Sequence, residues 1–277
     1  MGTLTDRYAV MGNPIAHSKS PEIHRLFAEQ THQHLSYEAI LVDTDRFAES
    51  VEAFAQHGGK GLNITVPFKQ QAWELSTELS QRAELAGAVN TISISNNRLI
   101  GDNTDGAGLV RDLEVNCDTP MKDLRILVVG AGGAVRGVLS PILEKQPASV
   151  IIANRTHMKA LELARQFKDY GDIAATEFGH LPEEPFDLII NGTAASLQGD
   201  IPPVPDRCVG AQTTLYDMMY GSEPSRFTQW GTRLGAKASL DGLGMLVEQA
   251  AESFFIWRQV RPDTRVVIGR LRAKMSS

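Results

Sequence analysis

The chain has 277 residues, of which 42% are hydrophobic and 22% are charged, a composition typical of a globular protein with one large domain or two smaller ones. The formal net charge of -6 argues against a general attraction to nucleic acid or to an anionic membrane. No apolar run reaches the length of a membrane span, and no signal peptide is expected at the N-terminus. Because Cys117 and Cys208 lack metal-ligand spacing and the histidines do not cluster, we expect a protein without a metal site in the reducing cytoplasm.

The first predicted strand leads into a loop with two serines. Residues 8–12 predict the strand, and after loop 13–20 the ring of Pro21 suits the first turn of a helix. Ser20 is a natural N-cap for that helix. Ser18 and Ser20, two hydroxyls before a helix N-terminus, also suit a carboxylate-binding site. On local physics, capping and carboxylate binding remain equal alternatives.

Alternating polar and apolar residues mark the strand predicted over 61–66. Asn63 and Thr65 project to one side of this strand, and the apolar residues that end with Val66 project to the other. Lys69 follows at the opening of the next helix. The polar side and the lysine together indicate a cleft, and the alternative is an exposed sheet face with a solvated lysine.

The rest of the first lobe alternates strands and helices. Residues 36–42 predict a strand, and residues 45–56 predict an amphipathic helix. Residues 89–95, a turn at 96–97 and a strand over 99–101 predict a hairpin. The alternating order favours a mostly parallel sheet.

Polar side chains are dense between that hairpin and the next helix, which is predicted to begin at Gly106. Segment 102–106 holds two carboxylates and two further hydrogen-bonding side chains. Asp105 suits the helix N-cap, a role that explains an isolated aspartate well, and the alternative is a chemical role in the same cleft.

A glycine-rich turn over 130–134 follows a buried strand predicted over 125–129. Such a turn brings backbone N–H groups and a helix N-terminus up to a phosphate. Gly130 allows the tight turn, and Gly132 lets the backbone approach a pyrophosphate closely. Val135 occupies the third position of the fingerprint, where Gly or Ala is usual, so the match is imperfect.

The end of the next strand, predicted over 148–153 after a helix over 134–145, bears on the choice of cofactor. Asn154, Arg155 and Thr156 follow it, where an NAD site usually places Asp or Glu for the ribose 2′-hydroxyl. Arg155 can pair bidentately with a 2′-phosphate, and Lys159 adds charge one turn later. The pattern predicts NADP, and the alternative for Arg155 is a solvated arginine at a helix start.

Two later strands, over 186–191 and 213–217, end where a doubly wound sheet binds its ligand. An apolar helix is predicted over 243–260. Within it, Gln249 is either a satisfied, partly buried amide or a ligand contact. The C-terminal helix, predicted over 265–274, is expected to return to the first lobe, because the second lobe already has its sheet.

Several ordered motifs resemble those of the shikimate dehydrogenase family. In the first lobe they are Gly12-Asn13-Pro14-Ile15-Ala16-His17-Ser18-Lys19-Ser20-Pro21, Asn63-Ile64-Thr65-Val66-Pro67-Phe68-Lys69, Gly87-Ala88-Val89-Asn90-Thr91 and Gly101-Asp102-Asn103-Thr104-Asp105-Gly106. On the cofactor side they are Gly130-Ala131-Gly132-Gly133-Ala134, Asn154-Arg155-Thr156 and Asp241-Gly242-Leu243-Gly244-Met245-Leu246. The similarity spans nearly the whole chain and is close to the NADP-specific biosynthetic branch of the family.

The resemblance implies an α/β fold with two lobes, an N-terminal α/β substrate domain and a Rossmann-type doubly wound parallel sheet. The substrate-binding and catalytic domain would comprise residues 1–105, completed by 241–277, and the NADP-binding domain would comprise residues 106–240. The partners implied are the small molecules shikimate and 3-dehydroshikimate, with no nucleic acid and no membrane. A homodimer is one candidate assembly.

The resemblance also implies a role for each site residue. Lys69 and Asp105 would form the catalytic pair, and Ser18 and Ser20 would hold the substrate carboxylate. Further substrate contacts would come from Asn63, Thr65, Asn90, Asp105, Tyr220 and Gln249. The cofactor would be held by Gly130, Ala131, Gly132, Gly133, Ala134, Asn154, Arg155, Thr156 and Lys159, with Met218 and Gly242 near the nicotinamide. Lys159 stands where arginine is usual in the family, and this would lower the affinity for the 2′-phosphate.

The implied reaction is the reversible, NADPH-dependent reduction of 3-dehydroshikimate to shikimate, a step towards chorismate and the aromatic amino acids. Lys69 would be the general acid/base, with Asp105 holding it in place. One alternative is a quinate/shikimate dehydrogenase that uses NAD, and the absence of an acid beside Arg155 argues against it. A second is a non-catalytic NADP-binding sensor, which has no need for Lys69 and Asp105 together.

Overall fold

The computed structural model describes residues 5–96, 98–193, 195 and 200–275, and the chain divides into two units. Unit 1 comprises Met1–Gly108 and Val247–Val267, and unit 2 comprises Leu109–Leu246 and Ile268–Ser277. Within the described ranges, no helix combines the length and the apolar content that crossing a membrane requires.

Unit 1 is built on a mixed sheet in the strand order β2-β1-β3-β5-β6-β4. Its strands are β1 (Asp6–Gly12), β2 (Leu35–Leu41), β3 (Gly59–Ile64), β4 (Glu78–Leu79), β5 (Thr91–Ser95) and β6 (Arg98–Asp102). β1 pairs in parallel with β2 and β3, whereas β5 runs antiparallel to β3 and β6. The predicted hairpin is therefore confirmed, with Asn96 at its turn in a left-handed conformation and Asn97 outside the described residues.

The helices of the first chain segment are α1 (Ser20–Thr31), α2 (Phe47–Gln56), α3 (Lys69–Leu75), α4 (Gln81–Ala86) and α5 (Asp105–Arg111). Apolar residues one helical turn apart give α2 a buried face, and this face packs on β3. The rings of Phe47 and Phe68 stack there, with centroids 4.8 Å apart, next to Leu62 and Ile64. This packing holds the end of β3 and the start of α3 together.

The end of β3 differs from the prediction that carried the strand through Val66. The strand ends at Ile64, and the Val66 side chain is 61% exposed. Pro67 has no N–H to offer a neighbouring strand, and the N–H of Phe68 donates to the carbonyl oxygen of Thr65 at 3.0 Å. The chain therefore turns at Thr65, four residues before Lys69.

Unit 2 has a fully parallel sheet in the order β12-β11-β10-β7-β8-β9. Its strands are β7 (Arg125–Val129), β8 (Ser149–Ala153), β9 (Ile173–Thr176), β10 (Leu188–Asn191), β11 (Thr214–Asp217) and β12 (Ala238–Asp241). Counted from β7, this is the order 3-2-1-4-5-6 of a Rossmann sheet. The predicted α/β fold with a doubly wound sheet is confirmed, and the order reverses between β7 and β10, where such sheets bind ligands.

The helices of the second half are α6 (Gly133–Leu143), α7 (His157–Phe167), α8 (Arg226–Arg233), α9 (Leu243–Arg258) and α10 (Thr264–Met275). Shorter turns comprise a π-helical turn at Asp112–Asn116 and 3₁₀ turns at Lys168–Tyr170, Phe178–His180 and Asp206–Cys208. The core of unit 2 joins strands β7, β10 and β11 to α8, with Leu127, Ile189, Leu215, Phe227 and Trp230 all buried. This core fixes the carboxyl ends of the three strands relative to one another.

The division of the chain differs from the expected domain boundaries at its C-terminal part. The first turn of α9 and the residues from Ile268 onwards belong to unit 2, although residues 241–277 were expected to complete the first lobe. The guanidinium of Arg272 donates two hydrogen bonds, at 2.6 and 2.5 Å, to the carboxylate of Asp241 at the end of β12. This bidentate pair ties the second half of α10 to the parallel sheet.

Candidate functional site

A lysine and a carboxylate face each other in unit 1, at the start of α3 and the start of α5. Lys69 Nζ lies 2.5 Å from Asp105 Oδ2. The two side chains are 31% and 15% exposed, so the pair is shielded from bulk water but open to a small molecule. An amine that is held by a carboxylate in this way can give a proton to a bound oxygen and take it back.

Asn90 and Gln249 join this pair, as the sequence predicts. Asn90 Nδ2 donates to Asp105 Oδ1 at 2.8 Å and lies 3.3 Å from Gln249 Oε1. Asn90 Oδ1 accepts the main-chain N–H of Thr104 at 2.8 Å. The two carboxylate oxygens of Asp105 are thus held by different partners, one by Lys69 and the other by Asn90. Four predicted site residues come together around one carboxylate.

Asn63 lies deeper, on β3, and both polar atoms of its amide have protein partners. Its Nδ2 donates to Ser253 Oγ at 2.9 Å, and its Oδ1 accepts the hydroxyl of Tyr37 at 2.7 Å. The expected contact between Asn63 and a ring hydroxyl stays a prediction. Thr65 is half-buried at the turn that follows β3, and its contact with substrate stays a prediction.

Of the two alternatives for Ser20, the N-cap role is wrong. The helix α1 begins at Ser20 itself, and Lys19 occupies the N-cap position without a side-chain capping bond. Ser18 Oγ accepts the N–H of Ser20 at 3.3 Å, so the first serine provides the hydroxyl contact at this helix start. Ser18 is half-buried and Ser20 is buried. Both hydroxyls remain at the N-terminus of α1, as the carboxylate-binding hypothesis requires.

Sequence reasoning missed the residues that hold the loop before Asp105 in place. Arg82 donates to both oxygens of Asp102, at 2.7 and 2.8 Å, and the neighbouring Ser80 hydroxyl donates to the same carboxylate at 2.6 Å. Burial raises the pKa of the Asp102 carboxyl, but the hydrogen bonds and charge of Arg82 act against it, and the net pKa lies below the ordinary value. The anchored aspartate accepts the N–H of Asn103 at 2.7 Å and so fixes the loop that leads to Asp105.

The glycine turn of unit 2 joins β7 to α6 at the point where the strand order reverses. Gly130 has φ 114°, a left-handed region that favours glycine, and the N–H of Gly130 donates to the carbonyl oxygen of Ala153 at 2.8 Å. A Cβ added at Gly132 or Gly133 would meet no described protein atom within 4 Å. The protein's own packing therefore does not require these glycines, and the open backbone at the N-terminus of α6 fits a pyrophosphate.

A glycine at the end of the neighbouring strand explains why Val135 is accommodated at the third position of the fingerprint. The Val135 side chain is fully buried, and its Cγ2 lies where a Cβ on Gly192, after β10, would be only 2.5 Å away. The same Cγ2 would lie 3.3 Å from a Cβ on Gly130. The missing small residue at the third position of the fingerprint is thus matched by Gly192, whose hydrogen leaves room for the valine.

The polar end of β8 has the side chains predicted to hold a 2′-phosphate. Arg155, Thr156 and Lys159 are exposed, and Asn154 Nδ2 donates to the Thr156 carbonyl oxygen at 2.9 Å. Two cationic side chains thus follow the strand next to the glycine turn. This donor set fits the monophosphate that distinguishes NADP from NAD.

Met218, Tyr220 and Gly242 also lie in unit 2. A Cβ on Gly242 would be 2.3 Å from the Met218 carbonyl oxygen, so only glycine allows this approach. Asp217 accepts the N–H of Met219 at 3.1 Å and holds the turn in which Met218 lies. Burial raises the pKa of the half-buried Tyr220 hydroxyl, which therefore stays protonated as a donor.

Three family models match successive parts of the chain. They are the shikimate dehydrogenase substrate binding domain over residues 10–92, the shikimate / quinate 5-dehydrogenase model over 114–198 and the shikimate 5′-dehydrogenase C-terminal domain over 242–272. The shikimate dehydrogenase (NADP(+)) of Alkalilimnicola ehrlichii is 56% identical over 97% of this chain and 99% of its own length. That of Hahella chejuensis is also 56% identical, over 96% and 98%. The chain belongs to the shikimate dehydrogenase family.

Solved structures agree with this assignment to the shikimate dehydrogenase family. An Ael1 enzyme from Pseudomonas putida has a TM-score of 0.93 at 46% identity, covering 96% of this chain and 98% of its own. A shikimate 5-dehydrogenase from Thermus thermophilus, solved in complex with NADP(H) and shikimate, has a TM-score of 0.87 at 31% identity, covering 97% and 99%. The predicted family and fold are confirmed.

Proposed function

We propose that this chain catalyses the reversible, NADPH-dependent reduction of 3-dehydroshikimate to shikimate. The observation that carries the proposal is the Lys69–Asp105 pair with Asn90 on its second carboxylate oxygen, in a chain of the shikimate dehydrogenase family. An amine 2.5 Å from a carboxylate and partly exposed suits a group that moves one proton at a ligand oxygen.

In the direction of reduction, Lys69 gives its proton to the carbonyl oxygen of the substrate, and Asp105 keeps the amine at that oxygen. In the reverse direction, Lys69 takes the proton from the same hydroxyl. Asn90, Gln249 and Thr65 orient the ring hydroxyls, so that one carbon is presented for reaction. The hydroxyls of Ser18 and Ser20 and the N-terminus of α1 bind the substrate carboxylate.

The residues of unit 2 hold the cofactor. The backbone of Gly130–Ala134 binds the pyrophosphate, and the exposed Arg155 and Lys159 pair with the 2′-phosphate. Met218 and Gly242 would border the nicotinamide, and hydride exchange is the chemistry that NADP would supply when bound.

A spectrophotometric assay that follows the absorbance of the reduced nicotinamide tests the proposal with two substrate pairs. Turnover with shikimate and NADP⁺ that greatly exceeds turnover with quinate and NAD⁺ supports it. Preference for quinate and NAD⁺ would identify the other branch of the family. Binding of NADP⁺ without turnover of either substrate would identify a sensor and refute the enzyme.

Replacing Lys69 with Ala tests the acid–base role within that function. We expect kcat to fall by roughly 10²–10⁴-fold, because general acid–base catalysis contributes about that much. NADP⁺ binding, measured by calorimetry, should survive, because the proposed cofactor residues lie in unit 2. Lys60→Ala, a change of an exposed lysine on β3 of the same unit, is the matched control and should keep full activity. A Lys69→Ala variant with normal turnover would contradict the role.

We further propose a cytoplasmic homodimer. The free thiols of Cys117 and Cys208 support a reducing compartment. The edge position of β2 and the 64% exposed side chain of Leu41 at its end support a contact between two copies. Light scattering after gel filtration tests the dimer, and a monomeric mass at micromolar concentration would refute it.

A further inference from the structure

We propose that Thr91 is a positioning residue, whose buried hydroxyl holds the side-chain amide of Asn90 in the orientation that donates to Asp105. The inference rests on the proposed function, which gives Lys69 and Asp105 their acid–base role. Thr91 is the first residue of β5, and its side chain is completely buried. It has no contact with solvent and acts through its neighbours.

Asn90 is the link between Thr91 and the acid–base pair. Its Nδ2 donates to Asp105 Oδ1 at 2.8 Å, while Lys69 Nζ lies 2.5 Å from Oδ2 of the same carboxylate. Because the carboxylate is held from both sides, a rotation of the Asn90 amide turns the carboxylate plane and moves the lysine amine with it. A displacement of the proton-carrying amine lowers the rate of the chemical step.

Asn63 and Asn90 are hydrogen-bond partners of the Thr91 hydroxyl on its two sides. Asn63 Nδ2 lies 3.2 Å from the main-chain carbonyl oxygen of Asn90, an atom that only accepts hydrogen bonds, so the amide cannot be turned the other way. The same Nδ2 donates to Thr91 Oγ1 at 3.2 Å and occupies one of its lone pairs. The Thr104 N–H identifies Asn90 Oδ1 as an acceptor, so the 3.0 Å hydrogen bond between Thr91 Oγ1 and Asn90 Oδ1 uses the Thr91 proton.

Tyr37 and Ser253 fix the far end of this chain of hydrogen bonds. The Tyr37 hydroxyl donates to Asn63 Oδ1 at 2.7 Å, and Ser253 Oγ lies 2.8 Å from Thr91 Oγ1. Hydrogen bonds thus link Tyr37 through Asn63, Thr91 and Asn90 to the carboxylate of Asp105.

Because the Thr91 hydroxyl and its partners are buried, water cannot replace the hydroxyl when it is removed. Thr91 and Ser253 are 0% exposed, and Asn90 is 3% exposed, so these three side chains cannot exchange a lost partner for bulk water. Without the hydroxyl, Asn90 Oδ1 loses one of its three donors and keeps the N–H and the hydroxyl of Thr104. The amide then has more rotational freedom at the position that holds the carboxylate.

The test compares Thr91→Val, which keeps the shape and removes the hydroxyl, with Thr91→Ser, which keeps the hydroxyl. With shikimate and NADP⁺, we expect kcat to fall roughly 10–100-fold in Thr91→Val, as for a small misplacement of a catalytic group. The KM for NADP⁺ should change little, and Thr91→Ser should recover most of the lost kcat. Assays are run well below the melting temperature of every variant.

Thr213→Val is the matched control. Thr213 is also a buried threonine, 1% exposed, and its hydroxyl donates to the Phe186 carbonyl oxygen at 2.6 Å before the amino end of β11. This control should lose stability and keep kcat. A folded Thr91→Val with kcat within about two-fold of the parent chain, or an equal loss in Thr91→Ser or Thr213→Val, would overturn the inference. Absence of shikimate turnover in the parent chain would instead overturn the proposed function.

Discussion

Replacing Gly192 with Ala tests whether this glycine makes room for Val135. An ideal Cβ at position 192 lies 2.5 Å from Val135 Cγ2 and 3.1 Å from Met218 Sδ. Val135 is fully buried at the start of α6 and cannot turn its side chain into water. Overpacking of this kind costs about 1–3 kcal/mol. Because Val135 adjoins the glycine turn, we also expect a higher KM for NADP⁺.

Val135→Ala supplies the second half of a double-mutant cycle. Alone, it removes two buried methyl groups and costs about 2 kcal/mol of stability. In the Gly192→Ala background the same change relieves the overlap. The double variant should therefore be more stable than the sum of the single changes predicts, by at least about 1 kcal/mol. Urea unfolding and the KM for NADP⁺ of the four proteins measure this coupling.

Gly179→Ala is the control for the loss of glycine flexibility, because a Cβ at Gly179 meets no described protein atom within 4 Å. This variant should change neither the stability nor the KM by much. If the two changes at 135 and 192 add to within about 0.5 kcal/mol, the sites are independent and the steric explanation of Val135 is refuted.

Two further predictions concern the cofactor and acid stability. Arg155→Ala should raise the KM for NADP⁺ roughly 10–100-fold, as loss of a charge-assisted contact does, and hardly change the KM for NAD⁺. Replacing the exposed Arg165 of α7 with Ala should affect neither KM, and equal effects of Arg155→Ala on both cofactors would refute the phosphate role. Burial lowers the pKa of His24 from 6.5 to about 3, so below pH 6.5 the unfolded chain binds a proton that the folded chain does not, and stability falls as the pH falls. The loss is about 1.4 kcal/mol per pH unit towards pH 5. Urea unfolding of His24→Phe should show a flatter decline, while Phe27→Leu, in the same ring cluster, should lower stability equally at every pH; parallel curves for His24→Phe and the parent chain would contradict the reasoning.

Strands with long β-branched runs were predictable, and short strands of small residues were not. The prediction over 125–129 coincides with β7 because Ile, Leu and Val side chains in an unbroken run indicate a strand buried on both faces. β12, Ala238–Asp241, has no such run and was missed. Its place in the sheet depends on its pairing with β11, a contact that no local pattern reveals.

In the candidate site, too, local patterns did not reveal contacts between distant segments of the chain. Local physics left a solvated lysine as an open alternative for Lys69 and a helix cap as one for Asp105. The family resemblance supplied the pair that the structure places 2.5 Å apart. Tyr37 and Ser253 gave no signal at all, because their contacts with Asn63 span 26 and 190 residues of sequence. A buried hydroxyl network becomes visible only when distant segments are brought together.

The division of unit 1 between two chain segments has a consequence for how the protein is made. Synthesis proceeds from the N-terminus, so all of Met1–Gly108 leaves the ribosome before Val247–Val267 exists. Until then Asn63 lacks Ser253, the Ile92 carbonyl oxygen lacks the indole N–H of Trp257, and Asp6 lacks Arg258. The N-terminal segment therefore lacks these hydrogen bonds while the parallel sheet of unit 2 is being synthesised. The helix that brings Gln249 to the site also completes the fold of the segment made first.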